Sequence, residues 1–114
     1  MKAEDAFAEV RREFADGLHG RLRAIHQALA VLARGYDPAM GEEFYLRTHA
    51  LKGTAASFGA SELANHAALL EEVGRRWKEQ GRVAPEEAAT ASAQLERLGV
   101  AIARYQAQVD AGGS

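Results

Sequence analysis

The chain has 114 residues, 47 % of them hydrophobic and 26 % charged, a composition typical of one globular domain and not of a disordered segment. Its formal net charge of −2 comes from dispersed acidic and basic residues, which gives no basic surface for nucleic acid. It contains no cysteine, which excludes disulfides, thiolate zinc sites and cysteine nucleophiles.

Four segments carry apolar residues at the three- and four-residue spacing of amphipathic helices. The first, expected over residues 4–34, has an apolar stripe that starts at Phe7 and Val10. Gly17 and Gly20 weaken the middle of this segment, so we expect a bend or a break there.

The second helix is expected over residues 38–58, because Asp37 is a favourable N-cap and Pro38 suits the first helical position. Its apolar stripe defines the face that should be buried. The residues on that face are Phe44, Thr48, Leu51, Ala55 and Phe58.

The third helix is expected over residues 61–80, beginning at Ser61, another residue type common at N-caps. The fourth is expected over 85–109, followed by a frayed polar tail at 110–114. The connections are short, so helices adjacent in sequence must lie antiparallel. The sequence therefore predicts an all-α fold, an antiparallel up-down-up-down four-helix bundle that forms a single domain over 1–114.

The start of the chain is charged, with Lys2, Glu4 and Asp5 close behind Met1, and does not resemble a signal peptide. No apolar run approaches the roughly 20 residues that a membrane-spanning helix needs. We therefore expect a cytoplasmic monomer that binds neither membrane nor nucleic acid.

The most informative stretch lies on the second helix, where Lys52 and Gly53 follow His49 by three and four residues. A helical wheel places His49 roughly 140° from the centre of the buried stripe, so its imidazole should project into solvent. Lys52 and Gly53 should adjoin it on the helix surface. A glycine inside a helix costs about 0.5–1 kcal/mol relative to alanine, and here the missing side chain would let another protein approach the ring.

These residue types suit phosphoryl chemistry. An unperturbed histidine is largely neutral at pH 7 and can act as a nucleophile without a separate base, and Lys52 would stabilise a phosphoryl anion built on His49. Tyr45, Leu46 and Ala56 surround the histidine and form a candidate docking surface, with scattered surface hydrophobics as the alternative.

Glu71 on the third helix should lie near the level of His49, because the two residues are equidistant from the turn at 59–61. It could accept a hydrogen bond from the imidazole N–H and hold the other nitrogen outward, with a solvated surface glutamate as an equal alternative. The remaining histidines lack a following lysine and glycine and are expected to be structural: His19, His26 and His66.

One set of residues stands in register on this helical pattern: the run from His49 to Gly59, then Leu63, Ala67, Leu70 and Glu71. Together they resemble the signature of histidine-containing phosphotransfer (HPt) domains. The resemblance spans nearly the whole chain, since residues 14–32 also resemble the family's first long helix. It implies that His49 is phosphorylated, on Nε2, and that Lys52 and Gly53 shape its surroundings.

The resemblance also implies the partners. These are receiver domains of response regulators, whose aspartates donate to or accept from His49 in a multistep phosphorelay, and a hybrid or separate histidine kinase. It implies no cofactor on this chain, with Mg²⁺ only on the partner receiver domain. The chain has no room for an ATP-binding domain and shows no glycine-rich nucleotide loop after a strand, so we expect a phosphocarrier and not a kinase.

Two other interpretations stay open. One is the phosphorylatable HPt-type domain of a chemotaxis-like histidine kinase, although Met1 and the tail at Ser114 favour a free-standing protein. The other is a helical adaptor in which His49 is never phosphorylated. A metal-binding bundle is disfavoured, because Glu62 and His66 have the wrong interval for a di-iron site and no second pair exists.

Overall fold

The computed structural model describes residues 3–112. Its helices are α1 (Ala3–Leu32), α2 (Pro38–Ser57), α3 (Ser61–Gln80) and α4 (Pro85–Asp110). α1 packs against α2 and α4, and α3 packs against the same two helices, so the four close into a ring. Short connections make consecutive helices antiparallel, and the predicted up-down-up-down four-helix bundle is confirmed. Among the described residues, no helix is both long and apolar enough to cross a lipid bilayer.

The starts of α2 and α3 differ in how they are capped. The carboxylate of Asp37 accepts hydrogen bonds from two backbone N–H groups in the first turn of α2, at 2.8 and 3.1 Å, and is the N-cap that the sequence predicts. The N-cap of α3 is Ala60, without a side-chain hydrogen bond, and Ser61 is already helical. The prediction for Ser61 is wrong because the tight turn through the left-handed Gly59 leaves Ala60 in the cap position.

α1 is one unbroken helix, so of the bend or break expected at Gly17 and Gly20, the break does not occur. Tertiary packing of the residues around them outweighs the weak helix propensity of the two glycines. α1 ends at Leu32, before the predicted limit of 34, and α4 continues through Asp110 into a turn at 111–112. The rest of the predicted tail, 113–114, lies outside the described residues.

The first turns of α1 reach past the end of α2. Phe14 stacks on Phe58, the C-cap of α2, with ring centroids 4.9 Å apart, so residues before Phe14 extend beyond that helix. Phe7 and Val10 continue the apolar stripe but remain 52 % and 51 % exposed, and the Phe7 ring still lies 5.7 Å from that of Phe58, centroid to centroid. Phe58 is half-buried and closes the end of the bundle, where full burial was predicted.

α2 and α3 form the tightest helix pair because a glycine stands between them. A Cβ atom at Gly74 would lie 2.9 Å from Cδ1 of Phe44, closer than side chains pack. Phe44 in turn packs against the buried Trp77, with ring centroids 5.5 Å apart. This close approach positions the side chains of α2 and α3 that meet at the surface.

Candidate functional site

The imidazole of His49 projects from the solvent side of α2, as the helical wheel predicts, and its side chain is 57 % exposed. The neighbouring Thr48 and Leu51 are fully buried, and they fix the rotation of the helix about its axis. The Thr48 hydroxyl donates to the carbonyl of Phe44 at 2.9 Å, so its burial leaves no polar group unpaired.

Glu71 of α3 reaches across to His49, and its Oε2 is hydrogen-bonded to Nδ1 of the imidazole. An ionised carboxylate can only accept hydrogen bonds, so the proton of this contact is on Nδ1 and Nδ1 donates. Nε2 then keeps its lone pair available. Of the two alternatives that the sequence leaves open for Glu71, the structure shows the contact with the histidine.

The same carboxylate also holds Lys52, whose Nζ donates to Oε1 of Glu71 at 2.6 Å. The Glu71 side chain is only 14 % exposed, compared with 37 % for Lys52. Burial would raise the pKa of Glu71, but hydrogen bonds from Lys52 and His49 outweigh it and lower the pKa below the usual value. Glu71 is therefore a stable carboxylate that joins the lysine to the histidine.

Tyr45 lies one turn before His49 and stacks on its ring, with centroids 6.0 Å apart and planes 16° from parallel. The ammonium of Lys78 lies 4.5 Å from the centroid of the Tyr45 ring and also pairs with Glu42. Tyr45 was predicted as a docking residue, and the structure shows that its ring also contacts His49. Sequence reasoning missed Lys78, although the register that sets Glu71 opposite His49 also sets Lys78 opposite Glu42.

Gly53 presents open backbone next to this cluster. A Cβ atom built on Gly53 meets nothing within 4 Å, and the residue is exposed. Leu46 is 49 % exposed and Ala56 is also exposed, so the surface on the solvent side of α2 is partly apolar. His49 thus lies on an accessible face of α2, where the glycine at position 53 leaves the approach to the imidazole unobstructed.

The remaining histidines have other surroundings. Nδ1 of His66 accepts a hydrogen bond from the Gln94 amide at 2.6 Å, which ties α3 to α4. His19 and His26 are exposed on α1. Within residues 3–112, no three side chains of the metal-ligating types cluster together.

The chain is thus an antiparallel four-helix bundle that presents His49, hydrogen-bonded to Glu71, on its surface. The family model described as "Hpt domain" matches residues 9–110, and the chain belongs to this family. Neither curated proteins nor solved structures gave a significant match. Membership supports a role in histidine phosphotransfer within phosphorelay signalling, as a phosphocarrier module without kinase activity.

Proposed function

We propose that His49 carries the phosphoryl group of a multistep His-Asp phosphorelay, taking it from the aspartate of one receiver domain and passing it to that of another. The observation that supports this most directly is the hydrogen bond between Nδ1 of His49 and Glu71. It leaves Nε2 as the nucleophilic nitrogen on an exposed ring. The protein acts as a cytoplasmic monomer, charged by a hybrid or separate histidine kinase through its receiver.

In the charging step, the Nε2 lone pair attacks the phosphorus of the aspartyl phosphate. The N–P bond forms, the bond from phosphorus to the aspartate oxygen breaks, and its electron pair remains on the aspartate carboxylate. Nδ1 keeps its proton, so the phosphorylated ring of His49 becomes cationic beside Glu71. Discharge reverses these steps. The chain itself supplies no cofactor, and Mg²⁺ acts on the receiver domain.

The docking surface consists of the exposed face around His49. Leu46 and Ala56 offer apolar contact on either side of the ring along α2, and Gly53 leaves room for the partner's aspartate pocket. Tyr45 contributes its edge to this surface while its ring face stacks on the imidazole. A receiver domain seated here would exclude water from the transferring group.

The test is phosphorylation by a phosphorylated receiver domain, followed for the wild type and for His49→Gln and His49→Ala. We expect both variants to lose labelling completely and to keep their far-ultraviolet dichroism, because His49 lies outside the core. His26→Gln is the matched control, since His26 is also an exposed histidine but lies on α1 and not on α2. Labelling that persists without His49 would move the site elsewhere, with His66 the next residue to test.

The same experiment, with an isolated ATP-bound kinase domain added as a second phosphoryl donor, separates the two alternatives. If no phosphorylated receiver labels the wild type, the helical adaptor becomes the better hypothesis. If an isolated ATP-bound kinase domain labels His49 directly and receivers only remove the phosphoryl group, the chain is the phosphorylatable domain of a chemotaxis-like kinase.

A further inference from the structure

Glu71 contacts both groups that phosphoryl transfer at His49 would use. Its Oε2 accepts from Nδ1 of His49, and its Oε1 accepts from Nζ of Lys52 at 2.6 Å. The carboxylate is the most sheltered of the three groups, with 14 % of its side chain exposed against 57 % and 37 %. A charge held in this way is less screened than a charge on the open surface.

We propose that the negative charge of Glu71 keeps phosphohistidine at position 49 short-lived, so that the protein passes its phosphoryl group on and does not store it. This inference rests on the proposed function of His49. The charge acts in two ways, one through the ring of His49 and one through Lys52.

The first effect concerns the leaving group. When phosphohistidine transfers its phosphoryl group, the N–P bond breaks, a bond from phosphorus to the acceptor oxygen forms, and the N–P electron pair returns to Nε2. If Nδ1 carries a proton, the ring leaves as neutral imidazole; if it does not, the ring must leave as an anion. The carboxylate of Glu71 stabilises the protonated, cationic form of the phosphorylated ring of His49 and so favours departure of the phosphoryl group.

The second effect concerns competition for Lys52. In this structure the ammonium of Lys52 is paired with Glu71. A phosphoryl group on His49 would carry a charge of nearly −2 and must compete with Glu71 for the ammonium of Lys52. The stabilisation that Lys52 gives to the phosphorylated state is therefore reduced, which again shortens its lifetime.

Few other charges face the ring of His49. From α2, Tyr45 stacks on the ring and Lys52 shares the Glu71 carboxylate with it, and from α3 Glu71 is hydrogen-bonded to it. Arg75 of α3 lies within electrostatic reach of Tyr45 and is paired with Glu72 and Glu79. Lys78 lies beyond Tyr45 and is paired with Glu42. On the side of α2 towards α1, Arg47 and Glu43 pair with each other.

A neighbouring glutamate provides a matched control. Glu72 follows Glu71 on α3, is half exposed, and pairs with Arg75. Glu72→Gln therefore removes the same charge from the same helix without touching His49 or Lys52. Glu71→Gln keeps an amide oxygen that can accept from Nδ1, so it removes the charge and preserves the hydrogen bond.

The experiment loads His49 with phosphoramidate, a small phosphoryl donor that needs no protein partner. Phosphorus NMR then follows the decay of phosphohistidine in the wild type, Glu71→Gln and Glu72→Gln. We expect Glu71→Gln to lengthen the half-life about tenfold and to slow loading, and Glu72→Gln to match the wild type. Nitrogen NMR of the imidazole in unphosphorylated Glu71→Gln should still show the proton on Nδ1, which assigns the change to charge and not to a lost orientation.

Each other outcome has a definite meaning. A half-life of Glu71→Gln within about twofold of the wild type, or equal lengthening in Glu72→Gln, would overturn the inference, as would failure of phosphoramidate to load His49. If the half-life lengthens as expected but no receiver domain charges His49, the proposed function fails and the effect of Glu71 stands. If receivers charge His49 normally while the half-life is unchanged, only the inference fails.

Discussion

A leucine at position 53 is expected to leave the fold intact and to block phosphotransfer. Gly53 lies on the exposed side of α2, one turn from His49, and a Cβ atom built there meets nothing within 4 Å. The bundle itself therefore has space for a larger side chain. The space matters only when a partner domain must bring its aspartate close to His49.

The two expected magnitudes have different origins. Gly53→Ala should stabilise the protein by about 0.5–1 kcal/mol, since an exposed helical glycine is replaced by the best helix former. In a chain of this size that raises Tm by roughly 2–5 °C. Gly53→Leu should melt at or above the wild-type temperature, because leucine is also a good helix former. Its transfer rate should fall about 100-fold, the loss that a 1 Å displacement of reacting groups can cause.

The assay measures a thermal melt and a timed transfer from a phosphorylated receiver on the same preparations. Ala93→Leu is the control, because it adds an exposed leucine to α4, across the bundle from His49. It should transfer at the wild-type rate. A Gly53→Leu protein that melts normally and transfers normally would refute the need for clearance, and one that unfolds would show that position 53 is not on the open face.

Three further predictions address charge and packing. Lys52→Ala should slow transfer or shorten the phosphohistidine lifetime by about two- to fivefold, with a smaller effect at high salt. A loss of phosphotransfer as complete as that of His49→Ala would contradict the supporting role of the lysine. Gly74→Ala should lower Tm by roughly 4 °C, because the new methyl group would crowd Phe44 and this cost outweighs the gain in helix propensity. A rise in Tm would refute the close approach of α2 and α3 at this glycine. The pKa of Glu71 is lowered in the fold, so its ionised contacts stabilise the protein at pH values above the usual glutamate pKa, and this stability is lost as pH falls through the lowered pKa. Urea unfolding should therefore show that the wild type is more stable than Glu71→Gln at pH 7 and that this difference shrinks in acid.

The fold could be predicted from the sequence because its main determinants are local. The spacing of apolar residues gives the buried face of each helix, and short connections leave antiparallel packing as the remaining arrangement. Asp37 and Pro38 mark the start of α2 by hydrogen bonding and backbone geometry that involve only the first turn. The exposure of His49 follows from the same wheel.

The wrong predictions share a cause, which is that the sequence pattern does not show what lies opposite a residue. Phe58 lies on the predicted face of α2 but is only half-buried, because it stands at the end of the bundle. Gly17 and Gly20 do not break α1, because contacts with two neighbouring helices hold it together. A pattern gives the direction of a side chain more reliably than the presence of a partner.

The partner of Lys52 shows this most clearly, and it changes the expected behaviour of the site. The wheel sets Lys52 beside His49 as a free cation, but in the structure its long side chain ends on Glu71. An incoming phosphoryl group therefore meets a neutral pair and must draw the ammonium away from the carboxylate. Under this arrangement, Lys52→Ala and Glu71→Gln should change the phosphohistidine lifetime in opposite directions. An ion pair that served stability alone would give no such opposition, because loss of either partner would then leave the lifetime unaltered.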